Sequence, residues 1–280
     1  MDKREKHPLN LNKRLFKILQ PACFFCPALY RLVRGSVFLL LFLSFFACAT
    51  TPGVEDRKKA ETHYNIGLSY LAKNQLRDAF VEFQKAIKLN PKNKEPLNAL
   101  GLVSAEFKEY ENAISYYKRA LAIDPDYSGA MNNLGVTYVK TGNWDEAIKY
   151  FKMALKDPVY ATPESAYSNM GYAYYKKGDY INATNTLEKT IEQYPGFPRP
   201  VYFLSLVHMK LGKVNEAIDG FKKAVDIDPK YMDAHWDLAN AYLRIGDREK
   251  AFEHFRIIAE SSVENKRRED ALEYIELLKE

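Results

Sequence analysis

Gly135-Val-Thr-Tyr-Val-Lys-Thr-Gly-Asn-Trp-Asp-Glu-Ala147-Ile-Lys-Tyr-Phe151-Lys-Met-Ala154-Leu-Lys-Asp-Pro158 carries the pattern that sets the fold. A small residue is followed by an Ala, a ring, a second small residue and a Pro. The same set recurs upstream as Gly67, Ala79, Phe83, Ala86, Pro91 and as Gly101, Ala113, Tyr117, Ala120, Pro125. Downstream it is Gly171, Ala183, Leu187, Thr190, Pro195, then Ser205, Ala217, Phe221, Ala224, Pro229. A sixth copy, Ala239, Ala251, Phe255 and Ile258, lacks the Pro. The spacing from Gly67 to Gly101 to Gly135, and from Gly171 to Ser205 to Ala239, is a constant 34 residues. A fixed period of this length is the mark of a stacked repeat architecture.

Each recurring position has a physical reason. A small residue closing helix A and an Ala on helix B let two helices approach closely, and the ring fills the space between them. Pro ends helix B because it lacks the N–H that a helix interior needs. Between the two helices stand turn signals: Lys73-Asn74, Thr141-Gly142-Asn143, Lys177-Gly178-Asp179, Leu211-Gly212-Lys213 and Ile245-Gly246-Asp247. Gly suits the left-handed residue after a helix, and Asp or Asn suits the cap of the next. The expected architecture is all-α, a right-handed solenoid of about six hairpins over residues 58–265. The units fall at about 60–93, 94–127, 128–163, 164–197, 198–231 and 232–265. A capping helix over 266–280 presents an apolar stripe of Ala271, Leu272, Ile275 and Leu278, since the end of a solenoid needs a lid with a polar outer face. Across residues 58–265 the chain resembles the tetratricopeptide repeat family, whose members bind other proteins.

One irregularity narrows the reading. Gly135 to Gly171 spans 36 residues, and the two extra lie in Leu155-Lys-Asp-Pro158-Val-Tyr160-Ala-Thr162-Pro163. Thr162 is placed to cap the next helix, with Pro163 at its first position. With Asn132-Asn133-Leu-Gly135, Thr141-Gly142 and Asn169-Met-Gly171, this segment resembles the type IV pilus biogenesis/stability lipoproteins of the PilF/PilW type. That resemblance implies an outer-membrane lipoprotein facing the periplasm, a pilotin whose partner is the secretin subunit of the pilus exit pore.

The leader agrees with such an address. Residues 35–47 form an apolar stretch behind Arg31 and Arg34. About 13 residues at ~1.5 Å each reach roughly 20 Å, short of a ~30 Å hydrocarbon core, so a signal peptide fits better than a spanning helix. Its end, Phe45-Phe46-Ala47-Cys48, resembles the bacterial lipoprotein box, which implies lipid on Cys48 and membrane attachment through it. Residues 1–47 then form the leader and 48–57 a linker. Translation from near Val33 would leave a compact signal. Cys23 and Cys26 are the remaining cysteines, and a lone C-x-x-C is weak evidence for metal or redox chemistry.

Eight of the 41 Lys and Arg and two of the 36 acids lie in residues 1–47, which leaves 33 against 34 for the rest. The basic balance thus belongs to the leader, and the repeats lack the electrostatic footprint of a nucleic-acid binder. Nothing in the repeats supplies a nucleophile, a phosphate loop or a metal-ligand spacing. His63, His208, His235 and His254 fall in different helices, and Asp226 and Asp228 simply end helix B before Pro229. No catalysis, cofactor, metal or small-molecule substrate is expected.

The binding candidates are helix-A side chains on the concave face: Tyr64, Asn65, Asn98, Asn132, Asn133, Asn169, Tyr172, Tyr175, Tyr202 and Trp236. Asn amides can bond a peptide backbone, and rings supply rigid contact area. Tyr64 and Leu68 stand where some relatives hold the Lys and Asn that clamp an acidic tail, so no such capture is expected. Two functional readings remain: a lipid-anchored secretin pilotin, and a general envelope adaptor that docks peptidoglycan enzymes or other assembly machinery.

Overall fold

The computed structural model describes residues 53–261 and 266–279. The leader, the C-x-x-C pair and the lipobox Cys48 lie outside the described residues. Among those described there are thirteen helices and no strand. They are α1 (Val54–Ala72), α2 (Leu76–Leu89), α3 (Lys94–Glu106), α4 (Tyr110–Ile123), α5 (Ser128–Lys140), α6 (Trp144–Ala154) and α7 (Pro163–Lys177). Then follow α8 (Tyr180–Gln193), α9 (Pro198–Lys210), α10 (Val214–Ile227), α11 (Met232–Arg244), α12 (Arg248–Ala259) and α13 (Lys266–Lys279). Odd-numbered helices up to α11 are the first of each hairpin and even-numbered ones the second. Helix α1 begins at Val54, inside the stretch expected to be linker. None of the described helices is long and apolar enough to cross a membrane.

Each helix packs on its neighbours in sequence, as in a solenoid. The first helices of successive hairpins also touch one another, α3 with α5, α5 with α7 and α7 with α9, whereas the second helices make no comparable contact. The array therefore curves with the first helices inside.

The repeated residues build the core. Ala79, Ala113, Ala147, Ala183, Ala217 and Ala251 are all fully buried, and so are Phe83, Phe151, Leu187, Phe221 and Phe255, with Tyr117 at 1% exposure. Burial of each Phe or Leu among them stabilises the fold by roughly 1.5–3 kcal/mol. The small residues lie five or six positions before the end of the first helix, not at its close. A Cβ on Gly67, Gly101, Gly135 or Gly171 would stand 2.5–2.6 Å from the facing ring or Leu187. The fifth hairpin reverses this arrangement: Ser205 takes the glycine's place on α9, and Gly220 on α10 gives way to it, since a Cβ there would meet Ser205 Oγ at 2.1 Å.

The turns follow from backbone geometry. Gly142, Gly178, Gly212 and Gly246 hold φ between +76° and +85°. Asn74 (φ 58°) and Lys108 (φ 61°) do the same work in the first two turns, and nothing in the sequence marks Lys108 for it. Asp179 and Asp247 accept from the N–H of Asn182 and Lys250, capping α8 and α12. Asn143 does not cap; its amide turns back to Thr141 Oγ1 at 2.8 Å. Thr162 precedes α7 and Pro163 opens it, but the Thr162 side chain makes no capping bond. The two-residue insertion is held by Asp157, which accepts from Ser128 Oγ at 2.7 Å and from the N–H of Val159 at 3.0 Å. Val159 itself is 85% exposed.

Helix α13 closes the last hairpin. Ala271 and Ile275 are buried, and Leu278 and Tyr274 pack on the same core. Leu272, expected in the stripe, is 45% exposed. Tyr274 takes its share, stacking on Phe255 with ring centres 4.7 Å apart.

Candidate protein-binding groove

The inner face of the array is built by residues that recur at one register of the first helices. One row is Tyr64, Asn98, Asn132, Ser168, Tyr202 and Trp236; the next is Asn65, Ala99, Asn133, Asn169, Phe203 and Asp237. Adjacent positions on adjacent helices meet. Asn133 Nδ2 donates to Asn98 Oδ1 at 3.1 Å, and Asn169 Nδ2 donates to Asn132 Oδ1 at 3.4 Å. The pairs leave N–H donors on the Asn132 amide and a carbonyl acceptor on Asn133 and on Asn169. That combination complements the C=O and N–H of a peptide unit.

From α7 onward the face becomes aromatic. Tyr172 stacks on Phe203 at 4.5 Å, and Tyr175 lies 5.8 Å from Tyr172. Tyr202 contacts Phe203 at 5.6 Å and Tyr231 at 4.9 Å. Three hollows adjoin along this path, of about 240, 380 and 560 Å³. Val136 and Lys140 line the first two, and Lys140, Tyr172 and Phe203 line the last two, so they form one groove from α3 to α11.

Of the side chains expected here, Asn98, Asn132, Asn133, Asn169, Tyr172 and Tyr202 come together. Tyr175 sits at their edge, between Tyr172 and Tyr180. Tyr64 packs half-buried against Phe83 at the first hairpin, and Asn65 beside it is exposed. Trp236 is enclosed at the far end by Phe255 and Tyr274, with the Arg267 guanidinium over its ring.

Asp237 was not expected. Its carboxylate accepts from the Tyr202 hydroxyl at 2.6 Å. Burial pushes its pKa above the usual carboxylate range, partly offset by that bond. Burial and then the Asp237 charge raise Tyr202 strongly. Burial pushes Tyr231 up to about 12, with Arg199 pulling the other way. Asp237, Phe203, Lys140 and Tyr231 were missed because each looks ordinary in its own helix. The signal was the 34-residue register that carries Asn133 and Asn169 on to Phe203 and Asp237.

Behind the groove, His235 and His254 meet with Nδ1 atoms 3.0 Å apart, and His235 Nε2 lies 3.1 Å from the Pro229 carbonyl. That carbonyl fixes the proton on Nε2, so neutral His235 accepts at Nδ1 and His254 donates. Among the described residues no three His, Cys, Asp or Glu gather as a metal site.

Models of the tetratricopeptide repeat match residues 64–128, 104–158, 164–197 and 206–246. The hairpins are tetratricopeptide repeats. The tetratricopeptide array is the architecture of a protein-interaction scaffold. It is similar to the crystal structure of PilW, a widely conserved type IV pilus biogenesis factor, with TM-score 0.67 and 23% identity, over 76% of this chain and 98% of that one. It is also similar to pilF of Pseudomonas aeruginosa, with TM-score 0.63 and 17% identity, over 78% and 99% of the two chains. At such identity the likeness concerns the fold. A curated relative, the TPR repeat-containing thioredoxin TTL4 of Arabidopsis thaliana, is 33% identical over 84 residues, 30% of this chain and 12% of that protein. The match spans about an eighth of that relative's length.

Proposed function

We propose that this chain is a type IV pilus pilotin: an outer-membrane lipoprotein, anchored through lipid on Cys48, that holds secretin subunits during assembly of the pilus exit pore. The observation that carries the reading is the inner groove from α3 to α11, together with the Pro158-Val159-Tyr160 insertion between α6 and α7. Supporting it, the likeness to PilW runs over 98% of that pilus biogenesis factor. The lipobox supplies the attachment. One acyl chain binds a membrane marginally and several bind stably, so a fully processed Cys48 would keep the groove at the surface. Confinement there raises the local concentration of captured subunits.

The test is deletion of the gene. Loss of heat-stable secretin multimers and of surface pili is the expected result, and unchanged multimers and piliation would sink the reading. Cys48→Ser separates anchoring from binding: it should release the protein from membranes while leaving secretin capture in extracts intact.

A further inference from the structure

The inner face holds a half-buried acid, Asp237, that forms no ion pair among the described residues. Asp233 is paired with Arg267, and Asp228 Oδ1 accepts the N–H of Lys230 in its own turn. Asp237 accepts one hydrogen bond, from Tyr202, and forms no ion pair among the described residues. Lys140 and Arg199 line the 560 Å³ hollow next to its partner Tyr202, and neither forms an ion pair with it. A carboxylate has about four lone-pair sites, so most of its capacity stands open. It is also set among rings: its partner Tyr202 packs against Phe203 and Tyr231, and Phe203 stacks on Tyr172. Ring faces carry negative potential and attract cations, Arg and Lys above all.

We infer that the α7–α11 end of the groove receives a Lys or Arg side chain of an extended peptide partner, its cation lodging beside Asp237 within the box of Tyr172, Phe203, Tyr202 and Tyr231. This rests on the reading of the groove as a protein-binding site. A half-buried lone carboxylate is unfavourable, and an incoming cation removes that penalty while gaining the ring faces. A peptide fits better than a free amine because the same groove offers the two Asn pairs of α3, α5 and α7, placed for main-chain groups. Its basic residue lies toward the α11 end of the bound segment.

The full-length chain in detergent, challenged with an immobilised library of nine-residue peptides varied over Lys, Arg, Glu, Leu and Ser at each position, tests this. One position should select Lys or Arg at least tenfold over Leu or Glu. Asp237→Asn keeps an acceptor for the Tyr202 hydroxyl and should erase that selection while leaving weaker binding of the same peptides. Lys222→Ala, exposed on the outer helix α10, should leave the selection in place. Should Asp237→Asn melt at lower temperature, the unmodified chain gives the same information: acidification that protonates Asp237 should abolish the basic preference and spare Leu peptides. Peptides that bind without a basic preference, or with one indifferent to both Asp237→Asn and pH, overturn the cation pocket and leave the groove reading standing. A library from which nothing binds overturns both.

Discussion

Gly135 sits in the middle of α5 with the fully buried ring of Phe151 where its Cβ would be, 2.6 Å away. Glycine inside a helix costs about 1 kcal/mol relative to Ala, so Gly135→Ala would gain that much if there were room. There is none, and overpacking costs typically about 1–3 kcal/mol. The substitution should destabilise on balance, by up to about 2 kcal/mol, lowering the midpoint in urea. An unchanged or higher midpoint would mean that Phe151 can move aside. The histidine pair gives a second expectation. Burial, and then its neighbour His235, push His254 down to about 4, while burial lowers His235. His254 stays neutral in the folded chain down to about pH 4 and takes up a proton when the chain unfolds, and the lowering of His235 acts in the same direction. The unfolded state thus binds more protons between pH 6.5 and about 4, and stability falls as pH drops through that window. Thermal melts at stepped pH should show this limb, and His254→Gln should flatten it.

Among the described elements α13 is the last, packed against α12. Ile275 is 8% exposed and faces the core that holds Phe255 and Tyr274. Ile275→Ala should cost about 2–4 kcal/mol, and hydrogen exchange should quicken first in α11 to α13. Equal exchange along the whole array would show instead that the array opens as one unit. Helix positions were legible in the sequence because close approach forces Gly or Ala at fixed offsets, and few other residues satisfy it. Details that several residues can satisfy were not legible. Lys108 reaches a left-handed turn without glycine, and the Ser205–Gly220 exchange moves the small residue to the other helix. Tyr274 replaces Leu272 because it shares the helical stripe of Ala271, Ile275 and Leu278, and its ring reaches Phe255. The groove was half visible: Asn and Tyr announce themselves, whereas Asp237 is defined only by what faces it across two helices.

At the scale of the molecule, stability is a chain of nearest-neighbour terms. Excising residues 94–127 joins Asn93 to Ser128 and removes one whole hairpin. The shortened chain should fold with the same helicity per residue by circular dichroism and melt at a lower temperature. Excising residues 94–109, one helix and its turn, should unfold the adjoining hairpin and lose more helix than was cut. The first hairpin already differs in kind: His63 and Ser69 stand where the second carries Leu97 and Val103, both buried, and Ile66 is 39% exposed where Leu100 is fully covered. Those substitutions give this end the polar character of a terminal repeat.

The change along the groove, from paired amides on α3 to α7 to rings and a carboxylate on α7 to α11, has a consequence for how anything lies in it. Six identical hairpins would let an extended strand settle in many frames, one unit apart, at equal energy. Here a strand shifted by one hairpin exchanges amide contacts for rings, and a reversed strand meets the two halves in the wrong order. The groove therefore has a polarity of its own: its two halves offer different contacts, and a strand matched to both has one frame and one orientation in which to lie.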